Sequence, residues 1–198
     1  MLKKLLIIFY RNPELGKVKT RLAKTIGNEK ALSIYLKLAN HTRVITQDLQ
    51  VDKVVYYSHF IDTEDAWPNQ LYKKKLQSGE DLGEKMLHAF EEGFQNGYQK
   101  ICIIGTDCFE LNSFIVSKAF AQLKKEDAVL GPAKDGGYYL LGMNQLLKEV
   151  FQNKEWSTDS VASSTLQDFK NKNVSCSLLP ELTDVDEEKD LPNNWLAL

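Results

Sequence analysis

The sequence predicts an α/β fold in which a mixed, mainly parallel sheet is covered by helices on both faces. Short apolar runs alternate with segments whose apolar residues recur at helical spacing, in the order β-α-β-α-β-α. The clearest run is ICIIGTD at residues 101–107, which is typical of a central parallel strand buried on both faces. Ligands of open α/β sheets bind outside the carboxyl ends of such strands, where Asp107 would lie.

Length and charge limit the classes of function. The chain of 198 residues fits a single domain covering residues 1–198. A net charge of -2 gives no reason to expect a nucleic-acid partner or an anionic membrane surface. No apolar segment approaches the roughly 20 residues of a membrane span. The three cysteines have neither CxxC nor metal-finger spacing, which favours a cytoplasmic protein.

The first half of the chain starts with a buried strand at residues 5–10, which the Arg-Asn-Pro turn signal at residues 11–13 ends. A covering helix follows over residues 28–49, with Asn28 as its expected N-cap. A second β-type run then occupies residues 53–58. This order places a loop rich in basic residues between the first strand and the first predicted helix.

That loop contains GKVKTRL at residues 16–22, which adds Lys17, Lys19 and Arg21 to the upstream Arg11. Cations between a strand and a helix are commonly found at anion sites in α/β folds, so the four side chains are candidate phosphate ligands. A solvated basic turn is the equally simple structural explanation. A Walker A loop is excluded, because no upstream glycine has the required spacing.

Residues 77–86, QSGEDLGEKM, join a loop to a helix. Asp81 would cap this helix and Gly97 would end it, so a capped helix start accounts for the segment. Its glycines would also allow the backbone to approach a planar or phosphorylated ligand.

The second half of the chain continues the alternation. It contains a helix from about residue 112, strands at residues 128–132 and 174–179, and a helix around residues 161–169. Between two of these elements, Asp135-Gly136-Gly137 predicts a tight turn that leads into an aromatic and apolar strand. The turn can be purely structural, or it can also present a carboxylate and bare backbone to a ligand.

Near the end of the chain, Asp184 and Asp186 are two residues apart, on one face if the segment is extended. They precede an acidic helix start at Glu187. Such a run is usually solvated when it stands alone.

Five blocks of the sequence, in order, together resemble the DUF2064 family of bacterial GT-A-like transferases. They are residues 16–22, 79–86, 105–108, 131–138 and 184–186. The family lies within the nucleotide-diphospho-sugar transferase superfamily, and its members are often described as glycosyltransferase family A or rSAM/selenodomain-associated transferase 1. The chain is also similar, more distantly, to guanylyltransferases of deazaflavin-cofactor synthesis, which share the Lys-Thr-Arg-Leu block and the late Asp-x-Asp.

The resemblance implies a GT-A fold with a nucleotide bound over the N-terminal half. It also implies that Lys19 and Arg21 contact phosphates and that Asp107, Asp184 and Asp186 hold a divalent metal. The chain departs from the pattern at one place, since relatives commonly carry proline where this sequence has Phe109.

The main hypothesis is therefore a transferase that uses an NTP or a nucleotide-sugar, a small-molecule acceptor, and Mg²⁺ or Mn²⁺. Transfer places negative charge on phosphate oxygens, which cations and a metal held by carboxylates can stabilise. The hypothesis requires Asp107 and Asp186 to lie close enough to share one ion.

The candidate residues fall into three groups with different expected roles. The catalytic candidates are Asp107, Lys19, Arg21 and Asp135, and the metal candidates are Asp107, Asp184 and Asp186. The nucleotide candidates are Arg11, Lys17, Lys19, Arg21, Gln77, Gly79, Gly136 and Gly137, of which Gln77 and Gly79 would contact the nucleobase. The turn from Asp135 to Tyr138 would orient the acceptor or the sugar.

Three alternatives stay open on the sequence alone. A nucleotidyltransferase would attack the α-phosphate and release pyrophosphate, whereas a glycosyltransferase would attack the sugar carbon and release a nucleoside diphosphate. A GT-A-like module that binds nucleotide without turnover is the alternative from a different class.

Overall fold

The computed structural model describes residues 3–192 and 195. The strands are β1 (Lys4–Tyr10), β2 (Asp52–Tyr57), β3 (Lys73–Leu76), β4 (Lys100–Ile104), β5 (Ala128–Pro132), β6 (Tyr138–Met143) and β7 (Cys176–Leu178). The α-helices are α1 (Thr20–Ile26), α2 (Asn28–Thr46), α3 (Leu82–Gln95), α4 (Ser113–Gln122) and α5 (Val161–Asn171). Two short 3-10 helices are formed by Lys148–Phe151 and Glu188–Asp190. Within the described ranges, no helix combines the length and the apolar character that crossing a bilayer requires.

The seven strands form one mixed sheet in the order β3-β2-β1-β4-β6-β5-β7. The first four strands in this order are parallel, β6 runs antiparallel to both of its neighbours, and β7 is parallel to β5. β4 is the middle strand, and all five of its residues are buried. The predicted α/β fold with a mainly parallel sheet is therefore confirmed.

Helices cover both faces of the sheet because successive strand residues point in opposite directions. Leu6 and Ile8 of β1 pack in a core beneath α2 and α4, whereas Leu5 and Ile7 pack in a second core beneath α3 and α5. Burial on both faces explains why β1 and β4 are continuous apolar runs rather than alternating ones.

The position of the candidate site follows from the strand order. β1 pairs with β2 on one side and with β4 on the other, so the chain reverses its direction of winding at β1. The carboxyl ends of β1 and β4 are adjacent at this switch point, which is where open α/β sheets bind ligands. The loops that follow these two strands therefore meet at one edge of the sheet.

A small third apolar cluster holds the late acidic segment at the same edge. Val185 is 1% exposed and packs with Leu22 and Leu38 from α1 and α2. Its N–H donates to the carbonyl of Asp107 over 2.9 Å. The segment is thus anchored through Val185, which positions the two flanking aspartates at the end of β4.

Several local expectations are confirmed or corrected. Asp81 does cap α3, and Gly97 follows the end of this helix with φ 80°. Asn28, in contrast, is not an N-cap, because the residue at the N-cap position is Gly27, whose φ of 86° allows a sharp turn between α1 and α2. The predicted helix over residues 28–49 ends earlier, at Thr46, and the sequence analysis did not predict α1 or β3.

The cap of α3 can be tested because this helix carries one wall of the site. Asp81 Oδ1 accepts a hydrogen bond of 2.8 Å from the N–H of Glu84. Replacing Asp81 by alanine leaves that N–H without its acceptor, so Asp81→Ala is expected to lower the free energy of unfolding by about 1 kcal/mol. Urea unfolding measures this change. Asp81→Asn keeps the acceptor and is the control; an equal loss in both variants would contradict the capping role.

Candidate functional site

The loop after β1 delivers Lys19 to the carboxyl edge of the sheet. Tyr35 fixes the start of this loop, since its hydroxyl donates to the carbonyl of Arg11 over 2.6 Å and accepts from the Arg11 N–H over 3.0 Å. Lys19, just before α1, has φ 47° and ψ 47°. This left-handed conformation costs a non-glycine residue about 1 kcal/mol. Strained residues of this kind persist where the surrounding contacts hold them, often at functional sites.

Those contacts are ion pairs with two aspartates from distant parts of the chain. Lys19 Nζ lies 3.0 Å from Asp107 Oδ1 and 3.2 Å from Asp186 Oδ1, and only 4% of its side chain is exposed. Burial lowers the pKa of Lys19, but the attraction of the two carboxylates outweighs burial and raises it above the ordinary value. The ammonium is therefore charged and bridges the two carboxylates.

The two ion pairs differ in geometry. The ammonium donates a hydrogen bond to Asp186, whereas its contact with Asp107 Oδ1 lacks hydrogen-bond geometry. Asp107 Oδ1 is shielded from solvent and has no hydrogen-bond partner. This oxygen keeps its capacity to accept from, or to coordinate, a ligand.

Arg21 adds a second cation beside Asp186. It is the second residue of α1, and its Nη1 lies 3.4 Å from Asp186 Oδ2. Its side chain is 58% exposed, so the guanidinium can turn toward a ligand without breaking packing. The Lys-x-Arg spacing thus places one buried and one accessible cation around the same carboxylate.

Asp184 lies on the other side of the Val185 anchor and faces Asp107 and Asp135. Its Oδ1 is shielded from solvent without a hydrogen-bond partner. Burial, together with repulsion from Asp107 and Asp135, raises the pKa of Asp184 to about 7, although Lys19 offsets part of this effect. This carboxyl is therefore poised between its neutral and charged forms near neutral pH.

The glycine turn between β5 and β6 places Asp135 at the rim of the same site. Asp135 Oδ1 accepts from the N–H of Gly137 over 2.9 Å. Gly136 has φ 87°, and a side-chain carbon there would lie 2.1 Å from the backbone oxygen of Asp159. The turn is therefore packed tightly against the segment that leads into α5, and only glycine fits at its centre.

Phe109, where relatives of the resembled family commonly carry proline, is fixed by aromatic contacts. Its ring lies 4.7 Å from that of Trp195 and 4.8 Å from that of His41, measured between centroids. These contacts pack the loop after Asp107 against α2 and against Trp195.

A cavity of about 390 Å³ joins these groups. One wall is acidic, with a single arginine, and is formed by Arg21, Asp107, Asp135, Asp159, Asp184 and Asp186. The other wall is apolar and aromatic, and is formed by Phe9, Leu82, Met86, Ile103, Tyr138 and Trp156. Cavities of this size with one polar and one apolar wall are typical of small-molecule sites.

The structure brings together only some of the candidate residues. Lys19, Arg21, Asp107, Asp135, Gly137, Asp184 and Asp186 converge at this cavity or directly beneath it. Five other candidates do not line it: Arg11, Lys17, Gln77, Gly79 and Gly136. Lys17 pairs instead with Glu14 over 2.7 Å, and the Gln77 amide donates to the carbonyl of Tyr56 over 2.9 Å.

Sequence reasoning named Tyr138 but missed the other two aromatic residues of the apolar wall, Phe9 and Trp156. Trp156 lines the cavity next to Gly83 of α3, where a side-chain carbon would lie 2.6 Å from the indole nitrogen. Gly83 therefore makes room for the Trp156 side chain rather than for a ligand. A tryptophan among polar residues just before a predicted helix was the available signal.

The carboxylate oxygens that surround Lys19 are suitable ligands for a divalent cation. Asp107 Oδ1 and Asp184 Oδ1 are shielded carboxylate oxygens without hydrogen-bond partners, and hard cations such as Mg²⁺ and Mn²⁺ prefer oxygen ligands of this kind. Across residues 3–192 and 195, no three His, Cys, Asp or Glu side chains are already grouped as ligands. The Lys19 ammonium lies between Asp107 and Asp186, so ligation by both requires this ammonium to move aside.

The fold is that of the nucleotide-diphospho-sugar transferases. The structure is similar to that of a "putative nucleotide-diphospho-sugar transferase" from Desulfovibrio desulfuricans G20, with a TM-score of 0.87 and 32% sequence identity over 94% of this chain and 84% of the other. Residues 41–158 match the family described as "Uncharacterized protein conserved in bacteria (DUF2064)". The chain belongs to the DUF2064 family, which confirms the resemblance found in the sequence. Among curated proteins, none matches the sequence.

More distant structures share the fold alone. A 4-diphosphocytidyl-2C-methyl-D-erythritol synthase from Anaerococcus prevotii DSM 20548 aligns with a TM-score of 0.57 at 9% identity, over 96% of this chain and 92% of that one. The inositol-1-phosphate CTP transferase from T. maritima aligns with a TM-score of 0.54 at 12% identity, over 99% and 94% of the two chains.

The raised pKa of Asp184 gives a stability prediction with a defined sign. Because the folded-state pKa of about 7 exceeds the ordinary value of 3.8, the folded state is destabilised as pH rises through this interval. Asp184→Asn is neutral at every pH. In EDTA, we expect this variant to be more stable than the natural chain at about pH 8, by on the order of 2 kcal/mol.

Chemical unfolding at several pH values measures this difference. The internal control is about pH 3, below the ordinary pKa of 3.8, where Asp184 is largely protonated in both the folded and the unfolded state and the two proteins should have equal stability. A difference that is the same at both pH values, or a variant that is less stable at pH 8, would contradict the environment assigned to Asp184.

Proposed function

We propose that this protein is a metal-dependent transferase that uses an NTP or a nucleotide-sugar as donor and a small molecule as acceptor. The observation that carries the proposal is the meeting of Lys19, Asp107 and Asp186 at one cavity. The three residues come from separate parts of the chain and meet where this class of sheet binds ligands. The DUF2064 membership and the similarity to the Desulfovibrio protein support the same class.

In this proposal the two cations bind donor phosphates. Breaking a bond to or beside a phosphate increases the negative charge on its oxygens, and fixed cations stabilise that charge without reorganising. Arg21 is accessible and has one carboxylate partner, so its remaining N–H groups can bind a phosphate. The Lys19 ammonium, which bridges Asp107 and Asp186 in the protein alone, would move aside for the metal and bind a phosphate oxygen next to it.

Asp107, Asp184 and Asp186 would hold Mg²⁺ or Mn²⁺. When bound, such an ion neutralises phosphate oxygens and orients the donor. The aspartates would otherwise repel an anionic donor, and five of them line the cavity. The acidic wall is therefore compatible with a nucleotide only if cations accompany it, which is the physical reason for including metal in the proposal.

The acceptor would lie between Asp135 and the aromatic wall. The exposed Asp135 carboxylate can accept a hydrogen bond from an acceptor hydroxyl, and Tyr138 and Trp156 offer apolar surface in the same cavity. Such an arrangement suits a small hydroxyl-bearing molecule with an apolar face. Both nucleotidyl and glycosyl transfer are compatible with it.

One observation favours the non-catalytic alternative. The Lys19 ammonium already neutralises Asp107 and Asp186, so the two carboxylates have a structural partner in the absence of a metal. A module of this kind would bind nucleotide with an affinity that does not depend on metal, and it would give no product with any donor.

Donor screening tests the proposed class. We expect calorimetry with NTPs and with UDP- and GDP-sugars to detect binding that is stronger with Mn²⁺ than with EDTA. Incubation with candidate acceptors then separates the reactions, because release of pyrophosphate indicates nucleotidyl transfer and release of a nucleoside diphosphate indicates glycosyl transfer. Failure to bind any member of the panel would refute the proposal.

The role of Asp107 can be tested with a variant that keeps its shape. Asn is a much poorer ligand for a hard cation, so Asp107→Asn should weaken Mn²⁺-dependent nucleotide binding at least about tenfold. The matched control is Asp159→Asn, which removes a carboxylate from the same cavity wall outside the proposed metal set. Urea unfolding checks that both variants are folded. Unchanged affinity in Asp107→Asn, or an equal loss in both variants, would remove Asp107 from the proposed site.

A further inference from the structure

A second cleft lies at the opposite edge of the sheet, where the parallel strands begin. This amino-end cleft has a volume of about 910 Å³. The charged residues that line it are Lys3, Lys4, Lys53, Lys73, Lys100, Lys124 and Asp52. Six cations and one carboxylate are an unusual grouping for a chain whose net charge is -2.

Four of these lysines lie along the amino edge of the sheet, with Lys53, Lys4 and Lys100 on the face covered by α2 and α4 and Lys73 on the opposite face. Lys73, Lys53, Lys4 and Lys100 lie at the beginnings of β3, β2, β1 and β4, which are neighbours in that order. Lys4 and Lys100 are direct register partners, and Lys73 pairs with the residue that follows Lys53. Adjacent strands are about 4.8 Å apart, so the four positions span about 14 Å of sheet edge.

The positive charge of the cleft has little compensation. Among residues 3–192 and 195, none of the six lysines has a carboxylate within ion-pair distance. The one lining carboxylate, Asp52, accepts a hydrogen bond of 2.7 Å from the Tyr98 hydroxyl. Asp48 and Asp52 attract the Lys53 ammonium from beyond ion-pair distance, and the cleft keeps an excess of positive charge.

Two of the lysines are largely covered despite this lack of ion pairs. Lys53 and Lys100 are 7% and 5% exposed, and their ammonium groups donate to backbone carbonyls, Lys53 to Leu49 over 2.8 Å and Lys100 to Leu123. Neutral carbonyls satisfy the N–H groups but do not cancel the charge. Burial lowers the pKa of both lysines, and repulsion from Lys124 and Lys4 adds to this effect at Lys100.

The cleft is suited to phosphate groups rather than to bases or other planar groups. Its aromatic residue, Tyr72, is 1% exposed, and the Lys53 ammonium lies 5.9 Å from the centre of its ring. No arginine lines the cleft within the described residues. The lining therefore offers neither an exposed ring for base stacking nor a guanidinium for bidentate phosphate binding, whereas its lysine ammonium groups bind phosphate as point charges.

We propose that the amino-end cleft is a second ligand site, which binds an anion that carries several linked phosphate groups. An anion of this kind matches the six lysines that line one cleft at this edge and balances their excess of positive charge. The site lies at the edge of the sheet opposite the candidate catalytic cavity, so this proposal does not depend on the proposed function.

Calorimetry with inorganic tripolyphosphate in EDTA tests this site. The test variant is Lys73→Gln/Lys124→Gln, since both side chains are exposed and neither forms an ion pair among the described residues. Loss of two cations from the site is expected to weaken tripolyphosphate binding about tenfold. The matched control, Lys30→Gln/Lys170→Gln, removes the same charge from exposed positions outside the cleft and should bind within about twofold of the natural chain.

Two further titrations define the ligand and the location. Arg21→Gln, which alters the candidate catalytic cavity, should leave tripolyphosphate binding unchanged, and orthophosphate should bind at least about tenfold more weakly than tripolyphosphate. Equal affinity in the cleft variant and the natural chain would overturn the proposal, as would an equal loss in the control. Loss of binding in Arg21→Gln alone, or tighter binding of an oligonucleotide than of tripolyphosphate, would also overturn it.

Discussion

A buried lysine between two aspartates is the interaction on which the candidate site depends. Asp107 and Asp186 would repel each other at this distance, and the Lys19 ammonium would be costly to bury without them. The two ion pairs hold together segments more than 150 residues apart in sequence. They also hold Lys19 in a left-handed backbone conformation that a lysine does not favour. The loop after β1, the end of β4 and the late acidic segment are therefore locked into one arrangement by charge, with Val185 as the apolar anchor.

Charge is separated between the two edges of the sheet. Aspartates gather at the carboxyl ends of the strands, where repulsion and burial raise the pKa of Asp184, and lysines gather at the amino ends, where burial and repulsion lower the pKa of Lys100. Because the acidic and basic residues of the chain nearly cancel, its net charge of -2 reveals neither group. Both arrangements cost stability in the protein alone, and both would be relieved by a ligand of the opposite charge. Retaining such uncompensated groups is typical of binding sites rather than of packing.

The sequence predicted the strands that form the core and the part of the site that follows directly from them. Apolar runs and the rule for carboxyl ends were sufficient to place Asp107 at the ligand-binding edge of the sheet. Its contact with Lys19 depends on the pairing of β1 with β4, which the sequence analysis did not predict. Side-chain direction in short loops does not follow from the order of the elements, which is why Lys17 was a candidate although it points to Glu14. β3 was missed because its lysines carry no apolar pattern, and Trp156 was missed because its partner, Gly83, is distant in sequence.

The proposed function requires metal and donor phosphates to meet beside Lys19, Asp107 and Asp186. A crystal structure of the protein with Mn²⁺ and a nucleotide from the binding panel tests this claim most directly, because the anomalous signal of manganese locates the ion independently of the protein density. The account predicts manganese bound by Asp107 and Asp186, with the phosphates beside Arg21. Manganese and nucleotide bound elsewhere, with Lys19 still bridging the two aspartates, would contradict it.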